Sequence, residues 1–187
     1  VWADYGEAPP EHLYTNATIP YFRAAHIYVA FPKRFHPFRS SPHFEWQSGT
    51  ARPGLSDTVF MSSRDGVHWK RYVEAFIRPG RDARNWIHRT NAVSRGLIVT
   101  GSDEMSLYVA RHYTYPSAHL ERMVLRTDGF VSIHADGQQG ELVTKSLVFK
   151  GKELFLNYST SASGSLRVEI QDSNGRAFPG FSLEDSP

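Results

Sequence analysis

Hydrophobic and polar residues alternate in short runs along the first part of the chain, which is the pattern of β-strands. The runs are rich in β-branched and aromatic residues, and turn-forming residues such as Pro32 and Gly101 end them. The predicted strands are 26–31, 58–62, 71–77, 97–100 and 106–111. Nowhere does an apolar stripe of helical period run between helix caps, so the sequence predicts little helix.

The pattern becomes more regular in the last third of the chain. Short strands are separated there by turn sequences that contain Gly151, Gly164 and Gly175. The predicted strands are 130–133, 141–149, 154–158 and 166–171. Turns at this spacing are typical of a β-sandwich. We therefore predict an all-β protein with one β region at residues 1–118 and a β-sandwich at residues 119–187.

The composition is that of a globular protein: 187 residues, of which 40% are hydrophobic, 13% aromatic and 21% charged. The formal net charge is +2, and the basic residues are scattered among acids, so no nucleic-acid partner is predicted. No apolar segment approaches the roughly 18 residues that cross a bilayer, so no membrane partner is predicted. The absence of cysteine excludes disulfides, thiolate catalysis and cysteine-ligated zinc.

The start of the chain bears on its origin. It begins at Val1 with an acidic, mixed stretch rather than a signal peptide. Because the chain has no starting methionine, we expect it to be a processed product or a fragment of a longer protein. A chain without cysteine fits either redox compartment, and a secreted or periplasmic location is compatible with it.

The segment Ser62–Trp69, with the sequence SSRDGVHW, lies between two predicted strands. Asp65 and Gly66 suit a tight turn, because the carboxylate accepts backbone N–H bonds and glycine tolerates positive φ. Trp69 then begins the returning strand as a large apolar anchor. A catalytic role for Asp65 would need a partner, and only His68 is adjacent. We therefore predict that the segment is a structural turn.

This hairpin resembles the S-x-D-G-x-x-W hairpin of β-propeller glycosidases and the related Asp-box of sialidases, which pins the outer turn of a blade. Other segments are similar to an uncharacterised bacterial family that resembles the glycoside hydrolases of families 32 and 43. These segments are 20–32, 60–66, 74–80, 128–132, 166–171 and 179–185. The resemblance implies a five-bladed β-propeller followed by a β-sandwich. This chain would then hold the last blades, in a blade-like region at residues 1–118, and most of the sandwich, while the first blades are absent.

Propeller glycosidases of these families use two carboxylates in a central funnel, one as the acid and one as the nucleophile or base. The motifs that would carry the nucleophile, Asn-Asp-Pro-Asn, Arg-Asp-Pro and Glu-Cys, do not occur in this sequence, so any nucleophile is expected outside it. The candidate catalytic residues here are Glu104, in a predicted hairpin, and His26, on the first clear strand. The alternative interpretations are an exposed turn acid for Glu104 and a hydrogen-bonded blade residue for His26.

Candidate substrate-binding residues lie in two places. Arg23 and Tyr28 flank His26, and His26 shares one face of the strand with Tyr28. The predicted loop 78–91 is rich in arginine and also carries a tryptophan. Its candidates are Arg78, Arg84, Trp86, His88 and Arg89. Guanidinium groups bind carboxylates or sulfates, and an indole stacks on a sugar face, so this loop suits an acidic polysaccharide. The alternative is a solvated loop with local ion pairs, such as the pair of Asp82 with Arg84.

Together these features predict a carbohydrate-processing protein, glycoside-hydrolase-like, that acts on or binds a polysaccharide. Two alternatives stay open: a non-catalytic carbohydrate-binding or structural module, and a polysaccharide lyase that uses His, Tyr and Arg on a uronate. The histidines are dispersed along the chain, and neither a metal nor a cofactor is predicted. A sandwich that lacks strands exposes its edges, so we also predict self-association or a partner chain that completes the sheet.

Overall fold

The computed structural model describes residues 10–39, 54–135, 137 and 139–186. The chain divides into two compact units, residues 1–132 and residues 133–187. The regular secondary structure of the described residues consists of β-strands and one short 3₁₀ turn at Ala83–Asn85, which confirms the predicted all-β class. None of these residues belongs to a helix long and apolar enough to span a membrane.

The first sheet is an antiparallel meander. Its strands are β1 (His12–Tyr14), β2 (Ile19–Tyr21), β3 (Ala24–Ala30), β4 (Lys33–His36), β5 (Leu55–Ser63) and β6 (Trp69–Ile77). β5 pairs with β6 along one edge and with β3 and β4 along the other, while β4 pairs with β1 and β3 with β2. Phe31 and Pro32 alone separate β3 from β4, and the Phe31 N–H donates to the Asn16 carbonyl at 2.8 Å. The strands therefore form four successive rows: β1/β2, β3/β4, β5 and β6.

The second sheet contains β7 (Ile98–Gly101), β8 (Glu104–Arg111) and β9 (His119–Arg126), paired antiparallel in that order. A bridge from Val93 to Val109 continues the first row of this sheet, so residues 91–94 and β7 both lie along β8. The boundary predicted near residue 118 falls in the turn between β8 and β9. The first compact unit extends to residue 132 and includes β9, which takes its backbone hydrogen bonds from β8 along its whole length.

The core of the first unit is a cluster of apolar side chains from both sheets. Its buried members are Tyr21, Val29, Phe31, Phe60, Ile77, Val93, Met105, Leu107 and Val109. Phe130, which follows β9, stacks on Phe60 with ring centroids 4.9 Å apart. Burial of a large apolar side chain contributes about 1.5–3 kcal/mol. This cluster therefore supplies the main stabilisation of the first unit and packs its two sheets together.

The second unit differs from the sequence-based expectation. Within the described part of residues 133–186 the backbone forms no β-strand. A single bridge from Gln171 to Ala177 closes the turn that begins at Asp172. Apolar side chains of the predicted strands lie exposed, as for Phe155 at 86%. The strands predicted in this part of the chain are not paired into a sheet: 130–133, 141–149, 154–158 and 166–171. A strand needs a neighbour for its backbone N–H and C=O groups, and in the described part of this unit such backbone bonds between neighbouring segments are made only around Ile170, to Phe178 and Phe181, and in the turn at Asp172.

Candidate functional site

The hairpin at Ser63–Trp69 joins the third and fourth rows of the first sheet. Asp65 Oδ1 accepts two backbone N–H groups of the turn, both at 2.8 Å, and Ser63 Oγ accepts the Gly66 N–H at 2.9 Å. The Trp69 indole N–H donates to the Gly66 carbonyl at 3.0 Å. The His68 ring, 2.6 Å from Asp65 Oδ2, and the backbone N–H groups hold the pKa of Asp65 well below its usual range. The carboxylate is committed to the turn, which confirms the structural interpretation.

The connecting loop, residues 78–97, runs from β6 to β7 and is held by Asn91. Asn91 is fully buried and has a φ of 60°. Its Nδ2 donates to the Ser56 carbonyl at 2.8 Å and to the Asn85 carbonyl at 2.9 Å, and its Oδ1 accepts from the Arg111 guanidinium. Ser56 belongs to the first sheet and Arg111 to the second, so one side chain fastens the loop to both sheets.

Asp82 and Arg84 form the local ion pair that the alternative interpretation of this loop proposed. Arg84 Nε and Nη2 lie 3.0 and 2.8 Å from the two Asp82 oxygens, and the guanidinium keeps the pKa of Asp82 well below its usual range. His112 Nε2 lies 3.0 Å from Asp82 Oδ2, and His112 Nδ1 lies 3.0 Å from Ser117 Oγ. This chain of Ser, His and Asp has the composition of a hydrolytic triad. Asp82 is also bound by Arg84, and the network ties the connecting loop to the β8–β9 turn.

Three other candidates of the loop differ in exposure. Arg78 forms a surface ion pair with Glu74 at 2.8 Å. Trp86 keeps 40% of its surface exposed while its indole N–H donates to the Gly80 carbonyl at 2.9 Å, so the ring is oriented and open to solvent. His88 is buried, and its ring belongs to the packed interior rather than to a ligand surface.

Arg89, the last candidate of the loop, lies beside a lysine and two tyrosines. We call Lys33, Arg89, Tyr14 and Tyr113 the cation site. Lys33 Nζ is 5.2 Å from the centre of the Tyr14 ring, and Arg89 Cζ is 5.8 Å from that of Tyr113, both within cation–π range. Burial and the positive charge of Arg89 lower the pKa of Lys33. No Asp or Glu of the described residues forms an ion pair with either cation.

Two candidates from the first strands, Arg23 and Tyr28, are not members of the cation site. Arg23 forms an exposed ion pair with Asp128 at 3.0 Å. Asp128 also accepts the Tyr21 hydroxyl at 2.5 Å, and burial together with this bond raises the pKa of Tyr21 to about 12. Tyr28 lines an open cleft of about 640 Å³ that Tyr14 and Trp69 also line. Since side chains alternate along β3 and the neighbouring valine faces the core, this cleft lies on the opposite face of the first sheet.

The two candidate catalytic residues lie in different sheets. His26 is exposed on β3 of the first sheet, whereas Glu104 opens β8 of the second. Glu104 Oε1 accepts from Thr100 Oγ1 at 2.7 Å and from Arg122 Nη2 at 2.5 Å, which is the geometry of a hairpin ion pair. No hydrogen bond or ion pair of the described residues joins His26 to Glu104.

Sequence reasoning missed a buried charge network between β4 and β5. Arg34 Nε and Nη2 donate to the Asp57 oxygens at 2.9 and 2.7 Å, and Arg34 Nη1 lies 3.2 Å from Glu11. Arg71 also binds Glu11, and His36 Nε2 lies 3.1 Å from Asp57. Arg34 and Asp57 are direct cross-strand partners, so the one available signal was their opposite charge, which needs the register to be known.

Within residues 10–39, 54–135, 137 and 139–186, no group of three or more His, Cys, Asp or Glu side chains is placed to hold a metal ion. The chemistry available at the cation site is therefore that of charge, hydrogen-bond and aromatic recognition by Lys33, Arg89, Tyr14 and Tyr113.

Comparisons with known proteins add one structural neighbour. No protein-family model matches the sequence, and no curated protein matches it either. A solved structure described as a glycosyl hydrolase from Bacteroides ovatus is similar with a TM-score of 0.42 and 13% sequence identity. The match covers 64% of this chain and 30% of that chain, so this chain spans less than a third of that protein.

Proposed function

We propose that residues 10–126 form two consecutive blades of a glycoside-hydrolase-like β-propeller and that the protein binds a polysaccharide at the cation site. The row order supports the blade assignment. The first sheet is a four-row antiparallel meander, and the Ser63–Trp69 hairpin lies between its third and fourth rows, where such a hairpin pins the outer turn of a blade.

The position of the cation site carries the proposal. Tyr14 lies in the first row of the first sheet, and Arg89 lies just before residues 91–94, in the first row of the second sheet. The first row of each blade lines the central channel when a propeller is wound from the inside outward. Two consecutive first rows would therefore bring Tyr14 and Arg89 to the channel wall, where a chain of sugars has room to lie.

The side chains of the cation site suit a sugar ligand. Tyrosine rings offer apolar faces for the C–H groups of a pyranose, and their hydroxyls bind sugar hydroxyls. Tyr14 and Tyr113 expose 49% and 39% of their surface. Trp86, on the same connecting loop as Arg89, exposes a third aromatic ring. Arg89 and Lys33 add donors with no carboxylate partner among the described residues.

The open cleft beside Tyr28 is not the proposed sugar site. Each blade of a propeller packs both of its faces against neighbouring blades. Under the blade assignment, the face that bears Tyr28 and Trp69 would be covered by a preceding blade. Tyr14 lines this cleft as well, so the cleft and the cation site share the Tyr14 ring, whereas Lys33, Arg89 and Tyr113 do not line the cleft.

A lyase is the second candidate, because Arg89 Nη1 lies 3.4 Å from the Tyr113 hydroxyl. In β-elimination from a uronate, a cation that neutralises the carboxylate acidifies the neighbouring C–H, and a deprotonated tyrosine oxygen takes that proton. The bond from C4 to the leaving oxygen then breaks with its electron pair on that oxygen, which takes a proton from the re-formed tyrosine hydroxyl or from water, and a C4–C5 double bond remains. Product absorbing in the ultraviolet would favour this candidate over binding alone.

For residues 133–186 we propose a β-sandwich completed by further strands, from a second copy or from another chain. Exposed apolar side chains at the predicted strands, such as Phe149 and Phe155, support a need for partner strands. Light scattering tests self-association, and a monodisperse monomer would argue against the second copy.

Titration calorimetry with a panel of neutral and acidic oligosaccharides tests the proposed binding. We expect affinity for at least one oligosaccharide to fall about tenfold or more in Tyr113→Ala, because a central aromatic contact contributes one to several kcal/mol. Phe38→Ala removes a fully exposed aromatic ring outside the site and should leave the affinity unchanged. Absence of binding across the panel, or equal losses in both variants, would contradict the proposal.

A further inference from the structure

The cation site indicates which part of the sugar it recognises, an inference that rests on the proposed function. We propose that Lys33 and Arg89 bind an anionic substituent of the polysaccharide, a carboxylate or a sulfate ester, beside the rings of Tyr14 and Tyr113.

The positive charges of Lys33 and Arg89 are not balanced by a carboxylate of the described residues. Lys33 is half-buried beside the Tyr14 ring, and the positive charge of Arg89 opposes its own. The carboxylates on the neighbouring strands do not relieve this repulsion, because Glu11 binds Arg34 and Arg71, and Asp57 also binds Arg34. A bound anion would remove the repulsion and would gain attraction to both cations.

The backbone of Arg89 has an unusual conformation. Arg89 has a φ of 64°, a left-handed conformation that a long side chain rarely adopts. Its N–H donates to Ser56 Oγ at 3.0 Å, and the next two residues, Thr90 and Asn91, are fully buried. The surroundings therefore hold Arg89 in a strained position. Strain of this kind clusters at binding sites, where it orients a side chain before the ligand arrives.

The guanidinium group of Arg89 has hydrogen-bond donors available for a ligand. Arg89 directs one N–H toward the Tyr113 hydroxyl at 3.4 Å, and its other side-chain N–H groups make no hydrogen bond to the described residues. A planar fork with free N–H groups matches the two oxygens of a carboxylate or of a sulfate ester. Lys33 supplies a second, less directional charge to the same anion.

The test compares charged and uncharged forms of the same sugar. Titration calorimetry would use a tetramer of galacturonic acid, its methyl ester, a sulfated galactan oligomer and the same oligomer without sulfate. The variants are Lys33→Met and Arg89→Gln. Arg95→Gln is the matched control, because Arg95 is exposed on the same connecting loop and its loss changes the net charge equally. Urea midpoints check that each variant is folded.

We expect one anionic sugar to bind the wild-type protein about tenfold or more tightly than its uncharged form, since charged hydrogen bonds are the strong ones. Both Lys33→Met and Arg89→Gln should abolish that difference, whereas Arg95→Gln should keep it. Preference for the uronate or for the sulfated oligomer then identifies the anion. Sugars that bind equally with and without charge would overturn the inference and leave the proposed function intact. A loss in Arg95→Gln as large as in Arg89→Gln would overturn it too. Failure of every sugar to bind would overturn the proposed function itself.

Discussion

Asn91 offers a quantitative test of how the connecting loop is held. Its side chain donates to the Ser56 and Asn85 carbonyls and accepts from the Arg111 guanidinium, all in a fully buried position. Asn91→Ala would leave these three groups without that partner. A neutral hydrogen bond contributes about 0.5–1.5 kcal/mol, and one to a charged group about 1.5–3 kcal/mol.

The backbone adds a separate cost in the same variant. Asn91 has a φ of 60°, which alanine adopts less readily than asparagine, at a cost of about 1 kcal/mol. We therefore expect Asn91→Ala to lower the free energy of unfolding by about 4–7 kcal/mol. That is a large share of the roughly 5–15 kcal/mol that stabilises a typical domain.

Urea denaturation followed by tryptophan fluorescence measures this loss, and Asn91→Gly is the matched comparison. Glycine loses the same hydrogen bonds but tolerates the positive φ, so it should be about 1 kcal/mol less damaging than alanine. A loss below about 1 kcal/mol in Asn91→Ala would refute the account of the buried amide. A glycine variant less stable than the alanine variant would refute the backbone part of it.

Three further predictions concern other contacts of the first unit. Arg34→Met leaves Asp57 buried without its main partner and should lower the free energy of unfolding by about 3–5 kcal/mol, while the double variant with Asp57→Leu should recover part of that loss in urea denaturation. For Asp65, the folded pKa is lowered, so its stabilisation is present above the unfolded value of about 3.9 and is lost as the pH falls below it. The urea midpoint of Asp65→Ala should therefore lie below that of the wild-type protein at neutral pH and approach it in strong acid, and a difference that does not change with pH would contradict this. For Tyr21, the folded pKa is raised to about 12, so its stabilisation is present below the unfolded value of about 10 and is lost as the pH rises toward 12. The free energy of unfolding, measured by urea denaturation across that pH range, should fall by about 2–3 kcal/mol more in the wild-type protein than in Tyr21→Phe. Free energies that change in parallel in the two proteins would contradict the raised pKa of Tyr21.

The strands of the first unit were largely predictable because they depend on local pattern. The predicted strand 26–31 corresponds to β3, and the predicted strand 106–111 lies within β8. The hairpin was predictable for the same reason, since Asp65 and Gly66 form its contacts with residues at most three positions away. What these segments share is that their partners lie close along the chain.

The candidate site was predicted in part. The connecting loop was recognised from its arginines and Trp86, and Arg89 does belong to the cation site. Tyr14 and Lys33 were missed, because each stands in a strand whose pattern predicts only sheet structure. They approach Arg89 and Tyr113 through pairing of β1 with β4 and through the path of the loop, which no spacing in the sequence reveals.

The sequence by itself determined the all-β class, the first-unit strands and the turn at Asp65, since alternation and turn chemistry act over a few residues. Tertiary structure alone decided which charges meet. It set Arg34 against Asp57 and left Lys33 beside Arg89 without a described carboxylate partner. It also left the predicted strands in the described part of residues 133–186 without a sheet, because a ladder depends on a neighbouring strand and not on the strand's own residues.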